Sequence, residues 1–542
     1  MKVIAKERVR VLLYENNASK PTGRVDFDEK DRIGNVHFLD DAAIPAHVPY
    51  RLEVDGELVT DPEAVRISSA REFGSYDRRK VYSLRYPMKP VHKTYVPHPV
   101  RDLIVYQAHV RGFTRSESCR TKQGGTFRAM EENIPYLKNL GITALELMPV
   151  YDFDETGATR EITNYWGYAK GNYYAPKPSY AAGDDEIAEL RSLIEALHKN
   201  GIDVILQMYM PEKTAGEIID ILVHWIRFYG VDGFHILAAG CNLQEVFSSP
   251  YLVGTKLFSA TLREDNCCTL QDDESFLADV RRFLRGEDNA AQNMLYYLTQ
   301  AARRVNFPAY HNGLTLRDTF SYEKKHNEEN GESNQDGTNY NFSMNFGQEG
   351  DTDDPSINAQ RIRAVKNALL LTFFSVGIPK IYMGDEVYHT LKGNNNAYRL
   401  DTEKAYLPWN PDPVQKELLD FVKELIQVRK TWFLNNQFPA HDRNRDSMPD
   451  VSVHQEDAWQ ATVLPQNKHF AVFYAAKTPM LLTVNLSGSE ERIGLPYQIA
   501  GSPEFIIGTT GGENPVQDGP HIHLKPHTVA VYKMKGGTKN VR

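Results

Sequence analysis

Cysteine is scarce in this 542-residue chain. There are four (Cys119, Cys241, Cys267, Cys268), two of them adjacent and none at metal-ligand spacing. That excludes a disulfide framework and points to thiols in a reducing compartment. Basic charge is not in excess. The 62 Lys and Arg against 71 Asp and Glu leave a formal net charge of −9, which argues against a nucleic-acid binder built on a basic face. Long apolar runs are missing too. The longest, near Ala368 to Ile378, is too short to span a bilayer. Met1 to Arg8 brings charge back within a few residues, without the apolar stretch of a secretory signal. The expectation is a soluble cytoplasmic protein without membrane or nucleic-acid partners. His/Cys clusters at zinc spacing, EF-hand loops and Gly-rich phosphate loops are also lacking, so no metal or cofactor is expected.

What is present is enough for several domains at about 150 residues each. Aromatic residues make up 11% of the chain; they fill a core, and they also supply the flat platforms on which sugar rings stack. Residues 1–95 read as short strands, with Asp55-Gly56 as a hairpin turn and Asp61-Pro62 as a breaker. Pro90 to Pro99 reads as a linker. From Leu103 the rhythm changes to strand, helix, glycine, strand. Ala129 to Leu140, Ile187 to His198 and Ala215 to Tyr229 read as helices, each followed by a glycine (Gly141, Gly201, Gly230). Between them run the strands Thr143–Leu147, Asp203–Leu206 and Gly233–Leu237. About eight such units over residues 96–450 suit a parallel (β/α)₈ barrel. Residues 451–542 return to short strands, the pattern of a terminal β-sandwich. Asn327 to Asp336 is polar and loop-like.

Several stretches within this frame carry a family resemblance: Tyr106 to Thr114, Gly141 to Pro149, Asn164 to Tyr168, Asp279 to Gly286, Leu314 to Asp318, Lys325 to Glu332, and Gly384-Asp385-Glu386 with Gly393 to Tyr398. In order and spacing they resemble glycoside hydrolase family 13, the α-amylase superfamily, and within it isoamylase and the glycogen-debranching enzymes. The resemblance runs from about Tyr50 to Trp409. It implies an α/β fold, a (β/α)₈ TIM barrel flanked by N-terminal and C-terminal β-sandwich domains, with the N-terminal part (1–95) a shortened glucan-binding module.

The resemblance also implies where chemistry belongs. Retaining glycoside hydrolysis needs two carboxyl groups about 5–5.5 Å apart, one attacking the anomeric carbon and one protonating the leaving oxygen. In this family they sit, with a third acid, at the outlets of barrel strands. The first family segment ends Asp-Val-Val-x-Asn-His; here Gln207 takes the place of the Asp and Glu212 that of the His. The second, Gly-Phe-Arg-x-Asp, places His235 at the Arg and Leu237 at the nucleophile. The third, Thr-Lys-Leu-Ile-x-Glu, places Ala260 at the general acid. The fourth keeps its His as His311 and holds Asn312 where the stabilising Asp belongs. A hydrocarbon cannot form a glycosyl ester, and the loss of one member of a catalytic set costs many powers of ten in rate.

Trp166, Tyr168 and His311 match residues that line the family's sugar subsite; the alternative role of the two rings is to pack a loop against the barrel. Phe113, Tyr310 and Trp409 read as core first, Asp232 as structural, and Glu332, Asp385 and Glu386 as structural or rim residues. The reading is a catalytically inactive relative of the debranching enzymes that binds α-glucan or partners an active glucan enzyme. One rival is an α-glucan hydrolase with a relocated catalytic set, Glu212 being the first candidate. Another is a protein-interaction scaffold whose cleft is filled by Met208, Tyr209 and Leu237.

Overall fold

A computed structural model describes all residues except 16–19, 157–162, 262–268, 301–302, 434–449, 476–477, 496–500, 510–513 and 536–542. Eight parallel strands form its centre: β1 (Val105–Ala108), β2 (Ala144–Leu147), β3 (Asp203–Tyr209), β4 (Gly233–Leu237), β5 (Lys256–Ser259), β6 (Thr269–Gln271), β7 (Val305–Asn306) and β8 (Ile378–Tyr382). β1 to β6 pair in sequence order, β8 pairs with both β1 and β7, and β6 and β7 are the edges of the sheet. Among the described residues one parallel bridge, Gln271 to Arg304, joins these edges, so the barrel is nearly closed.

Strand alternation explains the packing. Val105, Ala144, Ile205, Phe258, Leu270, Val305 and Ile378 point inward and form one buried apolar cluster. Their neighbours Tyr106, Leu145, Val204, Leu206, Phe234 and Leu257 point outward and join the helices in the largest core. The helices stop where the sequence says they should. Thr214 caps Ala215–Tyr229 through a reciprocal capping box with Glu217, and Gly230 ends it at φ 77°, a conformation that favours glycine.

Two sequence expectations need correction. Ala129–Leu140 is two helices, Phe127–Glu132 and Ile134–Leu140, broken at Asn133 because Pro135 cannot continue the earlier hydrogen-bond ladder. Pro90–Pro99 has no regular structure but is not a loose linker. Tyr95 stacks on His198 at 4.4 Å and donates to Asp203 at 2.7 Å, and Lys93 pairs with Asp232 at 2.5 Å. The strap is fastened beneath β3 and β4.

Both flanking regions are antiparallel. The first carries a six-stranded sheet and a three-stranded sheet around Val3, Val9, Val11, Tyr50 and Leu52. Its hairpin turns at Asp55 and Gly56, both at positive φ. The last region pairs a five-stranded sheet with a three-stranded one. Ala471, Phe473 and Leu481 face the smaller sheet, while Phe470, Val472 and Tyr474 face the barrel, where Phe470 stacks on Phe283 at 5.7 Å. Among the described residues no helix is long and apolar enough to cross a membrane. Cys119 and Cys241 are free thiols; Cys267 and Cys268 lie outside the described residues.

Candidate functional site

The outlets of the strands surround an open cavity of about 840 Å³. Gln207, His235, Leu237, Ala260, His311 and Asn312 all line it, as do Trp166 and Tyr168. These residues, separated by up to 146 positions in sequence, are thus brought to one place. Glu212 is not among the lining residues. It is 71% exposed and pairs with Lys170. Met208 points outward into the helical core, while Tyr209 and Leu237 line the cavity without filling it.

The inner walls are built in layers. Inward positions along β3 are Ile205, Gln207 and Tyr209, and along β4 Gly233, His235 and Leu237. The register sets Gln207 beside His235, and Tyr209 beside Leu237. On the next pair His235 meets Phe258, and Ala260 follows just beyond the end of β5. The deeper layer is polar. Above it Tyr209 and Leu237 stand side by side at the strand ends.

Beneath the polar layer sits Glu146, fully buried on β2. Its Oε1 accepts from Gln207 Nε2 at 2.5 Å and from His235 Nδ1 at 2.7 Å, which fixes the hydrogen of His235 on Nδ1. Gln207 in turn accepts from the Tyr168 hydroxyl. Glu146 Oε2 has no hydrogen-bond partner; the Lys380 ammonium stands 3.7 Å away. Lys380 itself, on β8, donates to both oxygens of Asp272 at 2.7 and 2.6 Å. Burial raises the Glu146 carboxyl, but Lys380, His235 and Gln207 outweigh it and hold the group below its ordinary value. Burial alone would lower Lys380; Asp272 and Glu146 raise it instead. Glu146, His235 and Asp272 offer ligand atoms within 4.8 Å of one another. The ammonium of Lys380 already supplies positive charge there, so this donor set does not fit a further cation.

The aromatic wall is equally ordered. His311 stacks on Tyr168 with ring centres 4.9 Å apart, and Trp166 meets His311 edge-on at 4.9 Å. Burial, reinforced by Lys380, pushes His311 down to about 3, so its imidazole is neutral at physiological pH. Trp166 is only 6% exposed, so most of its surface packs; Tyr168 is half-buried and presents more to the cavity. Phe113 is core as expected, and Trp409, half-buried, packs against the core with its indole donating to the Phe113 carbonyl at 2.8 Å. Tyr310, also half-buried, packs against the inner cluster and in addition lines the cavity, donating to Glu274. Glu332 stands at the rim with Tyr398 as donor. Asp385 and Glu386 are buried, Glu386 receiving the hydroxyls of Tyr106 and Tyr136 at 2.7 and 2.6 Å. Asp232 accepts from the Val204 N–H at 2.7 Å below the barrel.

Asp272, Asp273 and Glu274, which follow β6, also line the cavity, and sequence reasoning missed them together with Glu146 and Lys380. A signal existed. Glu146 and Lys380 are charged residues at inward positions of otherwise apolar strands.

The α-amylase catalytic-domain model matches residues 107–211. A glycogen debranching enzyme of Pectobacterium atrosepticum is 32% identical over 451 residues, covering 65% of this chain and 67% of that protein. The chain belongs to the α-amylase family. Within the family, a chloroplastic isoamylase 1 of Oryza sativa subsp. japonica is 27% identical over 465 residues, 66% of this chain. The chain spans 56% of that isoamylase's length. Among solved structures, the pullulanase SAP of Group B Streptococcus in complex with maltotetraose aligns with a TM-score of 0.75 at 15% identity, over 98% of this chain and 86% of that one. A pullulanase from Bacillus acidopullulyticus aligns at 0.72 and 17%, over 98% and 73%. At such identities the likeness concerns the fold, and it agrees with the barrel and its flanking antiparallel sheets.

Proposed function

We propose that this member of the α-amylase family binds α-glucan in the strand-outlet cavity and does not run the family's two-carboxylate reaction. The observation that carries the reading is what lines the strand outlets. Leu237 and Ala260 both line the cavity, at the positions where the resemblance puts the nucleophile and the general acid. Neither side chain can form a glycosyl ester or give up a proton. Gln207 and Asn312 stand where two further family acids belong. Against that loss, the sugar-facing half is assembled. Tyr168, His311 and Trp166 form one ring cluster, with polar edges from Gln107 and Gln207 beside it. The open cavity supports binding over the scaffold alternative. A protein with these properties serves as a glucan-binding partner of an active glucan enzyme.

A second reading, an α-glucan hydrolase with a relocated catalytic set, has two observations in its favour. The relatives carry the names of debranching hydrolases. Asp272, Asp273, Glu274 and Glu332 bring carboxyl groups to the same cavity. Each has a partner: Lys380, Arg304, Tyr310 and Tyr398 respectively.

Affinity electrophoresis in a glycogen-containing gel tests the binding claim. The parent is expected to be retarded, and a Trp166→Ala, Tyr168→Ala variant to lose at least tenfold in apparent affinity while keeping its far-ultraviolet circular dichroism. Equal retardation of a folded variant would remove the cavity from the account.

A further inference from the structure

We propose that the cavity holds a histidine–carboxylate base, His235 with Glu146, that hydrolyses acyl esters carried on the hydroxyls of a bound α-glucan. The inference rests on the binding reading above, because the sugar platform is what brings the ester to the base.

His235 is an inward residue of β4, 7% exposed, and it lines the cavity. Its Nδ1 lies 2.7 Å from Glu146 Oε1, and Asp272 Oδ2 stands 3.6 Å from the same nitrogen. With the ring hydrogen held on Nδ1, Nε2 carries the lone pair. Among the described residues no hydrogen bond engages Nε2, and this nitrogen is open to the cavity. A carboxylate behind Nδ1 and a bare Nε2 in front make imidazole a general base. The carboxylate fixes the tautomer and stabilises the imidazolium that forms. The base adjoins the sugar platform: register sets His235 beside Gln207, and Gln207 accepts from the hydroxyl of Tyr168. Asn312, beyond β7, lines the same cavity, and among the described residues no hydrogen bond engages its amide. Where the resemblance puts an acid, which only accepts when ionised, Asn312 offers N–H donors.

The surroundings select the bond that such a base can break. Base catalysis leaves an acetal intact, so the glucosidic linkage is not the target. Asp272, Asp273, Glu274 and Glu332 line the cavity against the single ammonium of Lys380, which disfavours phosphate and sulfate esters. An amide needs more assistance to its leaving group than an ester does. A neutral O-acyl ester remains. Water is the co-reactant. Nε2 takes one proton of a water molecule, and the water oxygen forms a bond to the acyl carbon. The carbonyl electron pair moves onto oxygen, where the Asn312 amide donates to the developing charge. The pair returns as the bond from the acyl carbon to the sugar oxygen breaks, and the imidazolium gives its proton to that oxygen. The products are a carboxylic acid and a free sugar hydroxyl.

Acetate release from O-acetylated maltotetraose by the full chain, followed by proton magnetic resonance, tests this. The parent is expected to release acetate at a rate that scales with its concentration and falls when unacetylated maltotetraose competes. His235→Gln is expected to lose at least about a hundredfold, the contribution of a positioned base. Asn312→Asp, which removes the donor, is expected to lose at least about tenfold. The competition experiment needs no variant and stands even if the substitutions disturb folding. No release above the heat-denatured protein, release that maltotetraose does not reduce, or the parental rate in folded His235→Gln would overturn the inference. Retardation of the parent in the glycogen gel without acetate release would overturn it alone and leave the glucan-binding reading intact; failure in both experiments would overturn both.

Discussion

Lys380 is the residue on which the cavity floor depends. It is buried in the barrel, and its ammonium bonds both oxygens of Asp272 while standing 3.7 Å from the orphan oxygen of Glu146. Breaking a buried pair by removing one partner leaves an uncompensated charge, at a cost of about 3–5 kcal/mol. Lys380→Met is therefore expected to lower unfolding free energy in urea by that amount. Lys380→Met with Asp272→Asn should recover part of the loss, because the second change removes one of the two stranded carboxylates. An unchanged denaturation midpoint in the single variant would mean that Asp272 and Glu146 are satisfied without the ammonium. Such residues are hard to read from sequence. Glu146 sits in an apolar run that announces a strand, and nothing local says that Gln207, His235 and Lys380 will surround it. The outlet residues were legible because family motifs fix their place in the chain. Tyr310, read as core, packs against the core and also lines the cavity, because an aromatic near a strand end suits both and only the assembled barrel shows it.

At the scale of elements, Asp385 shows how the loops above the barrel are tied together. It follows β8 and accepts from the N–H of Leu316 at 3.0 Å, which holds the turn Leu316–Thr319 of the β7 loop against the end of β8. Burial, with Glu386 adding to it, pushes its carboxyl up to about 7 against that hydrogen bond. Between the ordinary value near 4 and about 7, the folded protein keeps a proton that the unfolded chain releases. The contribution of Asp385 to stability is thus full at low pH and lost as pH rises to about 7, at about 1.4 kcal/mol per pH unit. Asp385→Asn, which keeps the acceptor, is expected to gain stability over the parent by roughly 2–3 kcal/mol between pH 5 and pH 7. Parallel stability curves for the two proteins would contradict this. Elements themselves were well marked where a cap and a glycine frame them, as with Thr214 and Gly230. They were misjudged where a tertiary contact intervenes. Pro90–Pro99 carries the composition of a linker, yet the buried carboxylates Asp203 and Asp232 require donors, and Tyr95, His98 and Lys93 supply them.

For the whole molecule, the barrel with its two flanking antiparallel regions is what the alternation of patterns announced, because periodicity and turn chemistry are local properties. What the cavity does with a sugar is not local. Family membership sets the fold and its ancestry, while activity resides in the residues of the site. Here the fold of the α-amylase family surrounds a cavity lined by Tyr209, Leu237 and Ala260. The central claim is that this lining cannot support glucosidic hydrolysis. The most direct test is reducing-end release from glycogen and amylopectin, at high protein concentration and several pH values. The Trp166→Ala, Tyr168→Ala variant, purified in parallel, reports contaminating activity. The account predicts no release above that control. Release that scales with the parent protein and disappears in the variant would contradict it, and would assign the reaction to the carboxyl groups that follow β6.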